Sequence, residues 1–156
     1  MTKTTQETPQ PALKSKKNLN APSKVLQLKY WKKYSEICLK LKSDLKIKPA
    51  PQHWQTLSIG KAGVSITPTI NTKNKYVACE LLIANDKALF HSLLEHKKAI
   101  EKSLGKLDWQ ELPEKKSSRI RQVFEIDVTD EASFEEAAKV QIKMAEAFKV
   151  EFKKYL

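Results

Sequence analysis

Glu80 is the acid best placed to do chemistry in this sequence. It stands on an alternating run, Tyr76 to Ile83, in which Tyr76, Ala78 and Leu82 share its face. A carboxylate so placed could help hold a divalent cation that activates water for phosphodiester cleavage, given a second acid and an assisting lysine beside it. Neither stands at the required spacing: the preceding run ends in Asn71, and the residue two beyond Glu80 is Leu82. One acid cannot build that site. An ion pair with Lys97, Arg119 or Arg121 is the favoured role for Glu80, and a divergent metal-dependent nuclease centred on it stands as the alternative.

Cations and rings offer a second chemistry. Lys115, Lys116, Arg119 and Arg121 crowd into one short segment, and Lys29, Lys33 and Lys40 recur along a helical pattern. Cations contact phosphates, and a ring beside them stacks bases, which together hold a single strand without sequence preference. Of the three tryptophans, Trp54 is the one expected to stay exposed, because His53 and a Pro-rich connection flank it, whereas Trp109 faces the same way as the apolar Leu107. A merely solvated surface is the competing reading of the same charges.

Other catalytic or metal chemistry finds no pattern to rest on. His91 and His96 are five apart on a helical run and so point to different faces, and His53 stands alone. Cys38 and Cys79 sit on apolar patterns with no Cys or His at a ligand spacing, which makes them reduced core residues. Gly60-Lys-Ala-Gly63 is a turn and not a phosphate-cradling loop, and no serine stands in a nucleophile elbow. No metal, cofactor or catalytic residue is therefore expected.

The elements that must position these groups follow from periodicity. Residues 1–24 are rich in Thr, Gln, Pro, Lys, Ser and Asn, and read as a disordered basic arm. One domain is expected over residues 25–156. Leu26, Tyr30, Tyr34, Ile37, Leu41 and Leu45 give a first helix, ended by Pro49 and Pro51. Three strands follow: Trp54 to Gly60; the run from Val64 to Ile70, with Pro68 marking an edge or a bulge; and Tyr76 to Ile83. Asn85 or Asp86 caps a second helix that runs to Gly105, in which Glu95 and Glu101 pair with neighbours such as Lys98 and Lys97. Strands over Leu107 to Leu112 and Arg119 to Val128 come next. A Ser133/Glu136 capping box then opens a last helix with Phe134, Ala138, Ala145, Phe148 and Phe152 inward. The order is α-β-β-β-α-β-β-α, an α+β fold with a mainly antiparallel sheet of about five strands packed on helices. Its first six elements follow the order of a restriction-endonuclease-like core, here degenerate at the metal-binding positions.

Charge narrows the partners. The net charge of +11 attracts polyanions, and it is concentrated early: residues 1–50 carry twelve lysines against three acids, whereas residues 106–156 carry ten cations against eleven acids. Every cation except Arg119 and Arg121 is a lysine, and lysine lacks the fork that reads phosphate or guanine bidentately, so weak, sequence-blind nucleic-acid attraction is expected. A protein partner or a homodimer burying a sheet edge or the Trp54 region is the other class of partner. No apolar run approaches the roughly 18 residues of a membrane span, and nothing after Lys3 forms a signal core. A cytoplasmic protein without membrane attachment is the expectation.

Several segments together resemble a family. These are Trp54 with Ser58-Ile59-Gly60, Asn71-Thr-Lys, Glu80-Leu-Leu-Ile83, Lys97 with Ile100-Glu101, Leu104-Gly105, and above all Leu107-x-Trp109-x-Glu-Leu-Pro-Glu-Lys-Lys-x-Ser-Arg-Ile120. They resemble a bacterial domain of unknown function, number 4268 in that series, over roughly residues 25–155. Members of that family look like stand-alone small proteins or C-terminal partners of nuclease-like domains. The resemblance implies a nucleic-acid-associated or defence-related accessory role, and it carries over no catalytic residue.

Overall fold

The computed structural model describes residues 21–156, so the arm expected over residues 1–24 lies mostly outside the described residues. The elements are α1 (Pro22–Lys40), β1 (Leu57–Ser58), β2 (Val64–Asn71), β3 (Tyr76–Ile83), α2 (Lys87–Leu94), α3 (Lys97–Leu104), β4 (Asp108–Gln110), β5 (Ser118–Glu125), a 3-10 turn (Glu131–Ser133) and α4 (Phe134–Lys153). The chain is α+β in the expected order, with the second helix divided in two. None of the described helices is long and apolar enough to cross a membrane.

The first helix opens with Pro22 in its first turn, where a missing N–H costs nothing, and so it takes in Pro22–Lys24. It buries Tyr30, Trp31, Tyr34, Ile37 and Cys38. Its three rings meet edge to face, Tyr30 on Trp31 at 5.0 Å and Trp31 on Tyr34 at 5.4 Å, and Tyr30 also meets Phe134 of α4 at 5.2 Å. The helix does not run on to Pro49. Lys42 turns left-handed at φ 57°, its N–H reaching Leu39 O and the next N–H, Ser43, reaching Cys38 O, which closes the helix end. Leu41 is thereby left 39% exposed, outside the apolar stripe expected of it.

All neighbouring strands pair antiparallel in the order β1-β2-β3-β5-β4. Pro68 sits in the second strand of this order. The carbonyl of Pro68 accepts from Gln55 N, so its ring nitrogen also faces the short β1 side and disturbs no bond to β3. Alternation sends Val64, Ile66 and Ile70, then Val77, Cys79, Leu81 and Ile83, then Ile120, to one face. There they pack under Phe90 and Leu93 of α2, Ile100 of α3, the aromatic cluster of α1, and Ile142, Ala145, Phe148 and Phe152 of α4. Each large side chain so buried contributes about 1.5–3 kcal/mol. Both cysteines lie in this core as free thiols, and burial pushes Cys38 up to about 11 and Cys79 higher still.

One buried polar group ties the layers together. Gln141 of α4 accepts from the Tyr30 hydroxyl at 2.5 Å and donates to the carbonyls of Thr69 and Ala78 at 2.7 and 2.8 Å. A single amide thus fixes α1, α4 and the two central strands in mutual register. Local details depart from expectation at two helix starts. Asp86 caps α2 by accepting from Leu89 N, but that helix breaks at Glu95 and His96 before α3 resumes. The Ser133 hydroxyl donates to the carbonyls of Asp127 and Asp130 and forms no capping box with Glu136; the preceding 3-10 turn is capped by Asp130 instead.

Candidate functional site

The second face of the sheet bears no described helix. Register places Thr67, Glu80, Arg121 and Asp108 in one row across β2, β3, β5 and β4, with Ser65, Leu82, Arg119 and Gln110 in the next. Both arginines of the chain therefore stand side by side on this face. Arg119 donates through Nε to Gln110 at 2.6 Å and through Nη1 to Glu80 Oε2 at 3.2 Å. Arg121 donates through Nε to Asp108 at 3.1 Å and through Nη1 to the Tyr76 hydroxyl at 3.2 Å. Each guanidinium makes fewer bonds here than the donors it carries.

These side chains frame a cavity of about 360 Å³ whose lining includes His53, Trp54, Thr67, Tyr76, Glu80, Arg119 and Arg121. Its outer rim comes from the segment ahead of β1. Gln55 N bonds Pro68 O and Ile70 N bonds His53 O, so this segment runs as a pseudo-strand along β2 and holds Trp54 opposite Thr69. Trp54 remains 40% exposed, with the His53 ring 4.9 Å from its own.

Electrostatics differ from group to group. Glu80 is nearly sealed, its side chain 9% exposed. Burial raises its carboxyl above the ordinary glutamate value, and the nearby Arg119, Arg121 and His53 only partly offset this. At Tyr76 burial also pushes upward, but hydrogen bonds from Arg121 and Asn71 outweigh it and lower the phenol. Desolvation works against the charge of Arg121, yet Tyr76 and Asp108 raise it on balance. Glu80 and Asp108 together offset the two guanidiniums, so the face is polar and close to neutral.

A family model for a domain of unknown function (DUF4268) matches residues 26–156. The chain belongs to the DUF4268 family. Among curated proteins and solved structures, none matches it. In this DUF4268 chain, the segment Leu107 to Ile120 proves to be built around two anchors. Trp109 points to the helix side, its indole N–H donating to Glu101 Oε2 at 2.9 Å, and Leu107 N donates to the same oxygen at 3.0 Å. Glu101 therefore serves the strand and not the lysine pairing expected for it, and these two bonds hold its carboxyl below the usual range. Lys87, at the start of α2, donates to the carbonyls of Glu111, Leu112 and Ser117 and to Ser118 Oγ. Its ammonium thereby shapes the loop after β4, in which Leu112 takes a left-handed φ of 56° just before Pro113.

The cations expected to act together are divided by the DUF4268 fold. Arg119, Arg121 and Trp54 meet Glu80 on the open face. Lys115 and Lys116 are exposed on the Lys87-anchored loop at one end of the sheet. Lys29, Lys33 and Lys40 ride on α1, which packs against the opposite face, and they pair with acids there: Lys29 with Glu131 at 3.3 Å, and Lys33 and Lys40 with Glu36 at 2.9 and 4.0 Å. They cannot contribute to the same patch. Arg119 is the partner of Glu80, and no group of three or more His, Cys, Asp or Glu side chains among the described residues could hold a metal ion. Tyr76, Asn71, Asp108 and Gln110 complete the face, and of these the sequence places only Tyr76 beside Glu80. Their outward parity with Glu80 and the arginines was the available signal.

Proposed function

We propose that this protein is a non-catalytic nucleic-acid-associated module and that a single strand lies across the open sheet face. The observation that carries this reading is the company kept by Trp54: the one tryptophan at the surface shares an uncovered face with both arginines. A ring at the rim stacks a base, and guanidiniums with spare N–H groups contact backbone oxygens, a combination that binds single strands. Attraction comes from the sheet ends, since the face itself is balanced: Lys73 and Lys75 stand at the β2–β3 turn, and Lys115 and Lys116 at the opposite end. Lys29, Lys33 and Lys40, on the other layer, contribute only to the surrounding potential.

Fluorescence anisotropy with labelled single- and double-stranded oligonucleotides tests this. Binding is expected at low salt, with single strands preferred. Trp54→Ala is expected to weaken it by about 1–3 kcal/mol, the worth of one stacked base. Absence of affinity at low salt would remove the proposal.

A further inference from the structure

Glu80 is the anomaly of the open face. A carboxylate near the floor of a cavity offered to a polyanion repels phosphate, and a site for backbone oxygens alone is served better by a donor at this position. Glu80 also has accepting capacity to spare. The single hydrogen bond described for its side chain is the one from Arg119, although an ionised carboxylate accepts several. A ligand that suits the cavity must therefore bring N–H groups to Glu80 while offering an acceptor to the adjacent guanidinium.

Base edges differ in this respect. On the pairing edge adenine sets one donor group beside one acceptor, cytosine one donor group at the end of two acceptors and thymine one donor between two acceptors, whereas guanine presents two adjacent donors, N2–H and N1–H, followed by the acceptor O6. Two parallel donors match a carboxylate, and the next acceptor falls toward a group placed like Arg119. The frame fits a stacked ring: Trp54 borders β2 opposite Thr69 and Glu80 lies on β3, two strand spacings across and two residues along, roughly 12 Å apart, around a cavity of about 360 Å³. We propose that this cavity is a guanine site, in which the base packs on Trp54, donates through N1–H and N2–H to Glu80, and accepts through O6 from Arg119. The proposal rests on the nucleic-acid reading above and adds base selectivity to it. Two donated bonds favour the ionised carboxylate, so occupation reverses what burial does to Glu80.

The test uses oligo(dT) strands carrying one central dG, dA, dC, inosine or 7-deazaguanine, titrated by anisotropy against the full chain. The dG strand is expected to bind about tenfold more tightly than dA or dC. Inosine, which lacks the N2 amino group, loses most of that advantage, and 7-deazaguanine, altered only at an atom the site does not use, keeps it. In Glu80→Gln, shown by its melting curve to be folded, the dG-to-dA ratio collapses. Equal affinity for dG, dA and dC would overturn the guanine site and leave the nucleic-acid reading standing. Retention of the dG preference by inosine or by E80Q would overturn the role of Glu80. Absence of binding to every strand would defeat the nucleic-acid reading and the guanine site with it.

Discussion

Glu80 shows how one side chain can be both paired and uncomfortable. Arg119 is 3.2 Å away, yet burial dominates and raises the carboxyl. A folded-state value above the unfolded one means that the folded chain holds the proton more tightly. The stability linked to it is complete below the ordinary glutamate range and is lost as pH rises through the raised value. Paired acids such as Glu36, Glu135 and Asp127, whose carboxyls are lowered, act in the opposite sense, so the comparison must be with Glu80→Gln. Melting temperatures from about pH 4 to about pH 8 are expected to show E80Q gaining on the parent protein as pH rises. A difference that stays constant, or E80Q losing ground on the parent protein as pH rises, would show that the ion pair matches or outweighs desolvation. At this scale the sequence was partly legible. Alternation alone sets Glu80 on the face of Tyr76, Ala78 and Leu82 and names Arg119 and Arg121 among its partners, and the flanking His and prolines mark Trp54 as exposed. The anchoring of the loop by Lys87 was not legible, because its acceptors lie 24 to 31 residues further along the chain and three of the four are backbone carbonyls.

Elements were easier to see than their ends. Period-two runs marked β2, β3 and β5, and the three-and-four spacing marked α1 and α4, because burial imposes those periods. Helix ends depend on a few dihedrals and hydrogen bonds. The end of α1 is set by Lys42 in a left-handed conformation where glycine is usual, so no residue type announced it, and the prolines further on drew the expected end too far. Ser133 and Glu136 have the spacing of a capping box, but Ser133 Oγ is already committed to two carbonyls. A left-handed residue with a Cβ costs roughly 1–2 kcal/mol, part of which glycine gives back through its freer unfolded chain. Lys42→Gly is therefore expected to stabilise the protein by about 0.5–1 kcal/mol, measured by urea denaturation. A loss of stability would mean that the lysine stem makes contacts worth more than the strain.

The molecule as a whole divides its labour between two sheet faces. One is committed to the core beneath four helices, and the other carries the arginines, Trp54 and Glu80. This division follows from topology, which could not be read from sequence; the pairing of β3 with β5 across α2, α3 and β4 is what sets Glu80 against Arg119 and Arg121. Residues 1–20 hold four lysines and one acid, and they precede a domain whose own candidate face is balanced. If these lysines contact phosphates, a chain beginning at Ala21 is expected to show a salt slope for single-strand binding shallower by about two to three than that of the full chain. Identical slopes in the two anisotropy series would confine recognition to the domain.

The three indoles occupy three unlike environments. Trp31 is sealed and donates to Gln52 O, Trp109 is half-buried and bound to Glu101, and Trp54 alone faces water broadly. A neutral quencher such as acrylamide will therefore darken one emitter well before the other two, and whatever seats itself at the rim will shield that emitter. The protein carries an unlabelled optical gauge of its own occupancy.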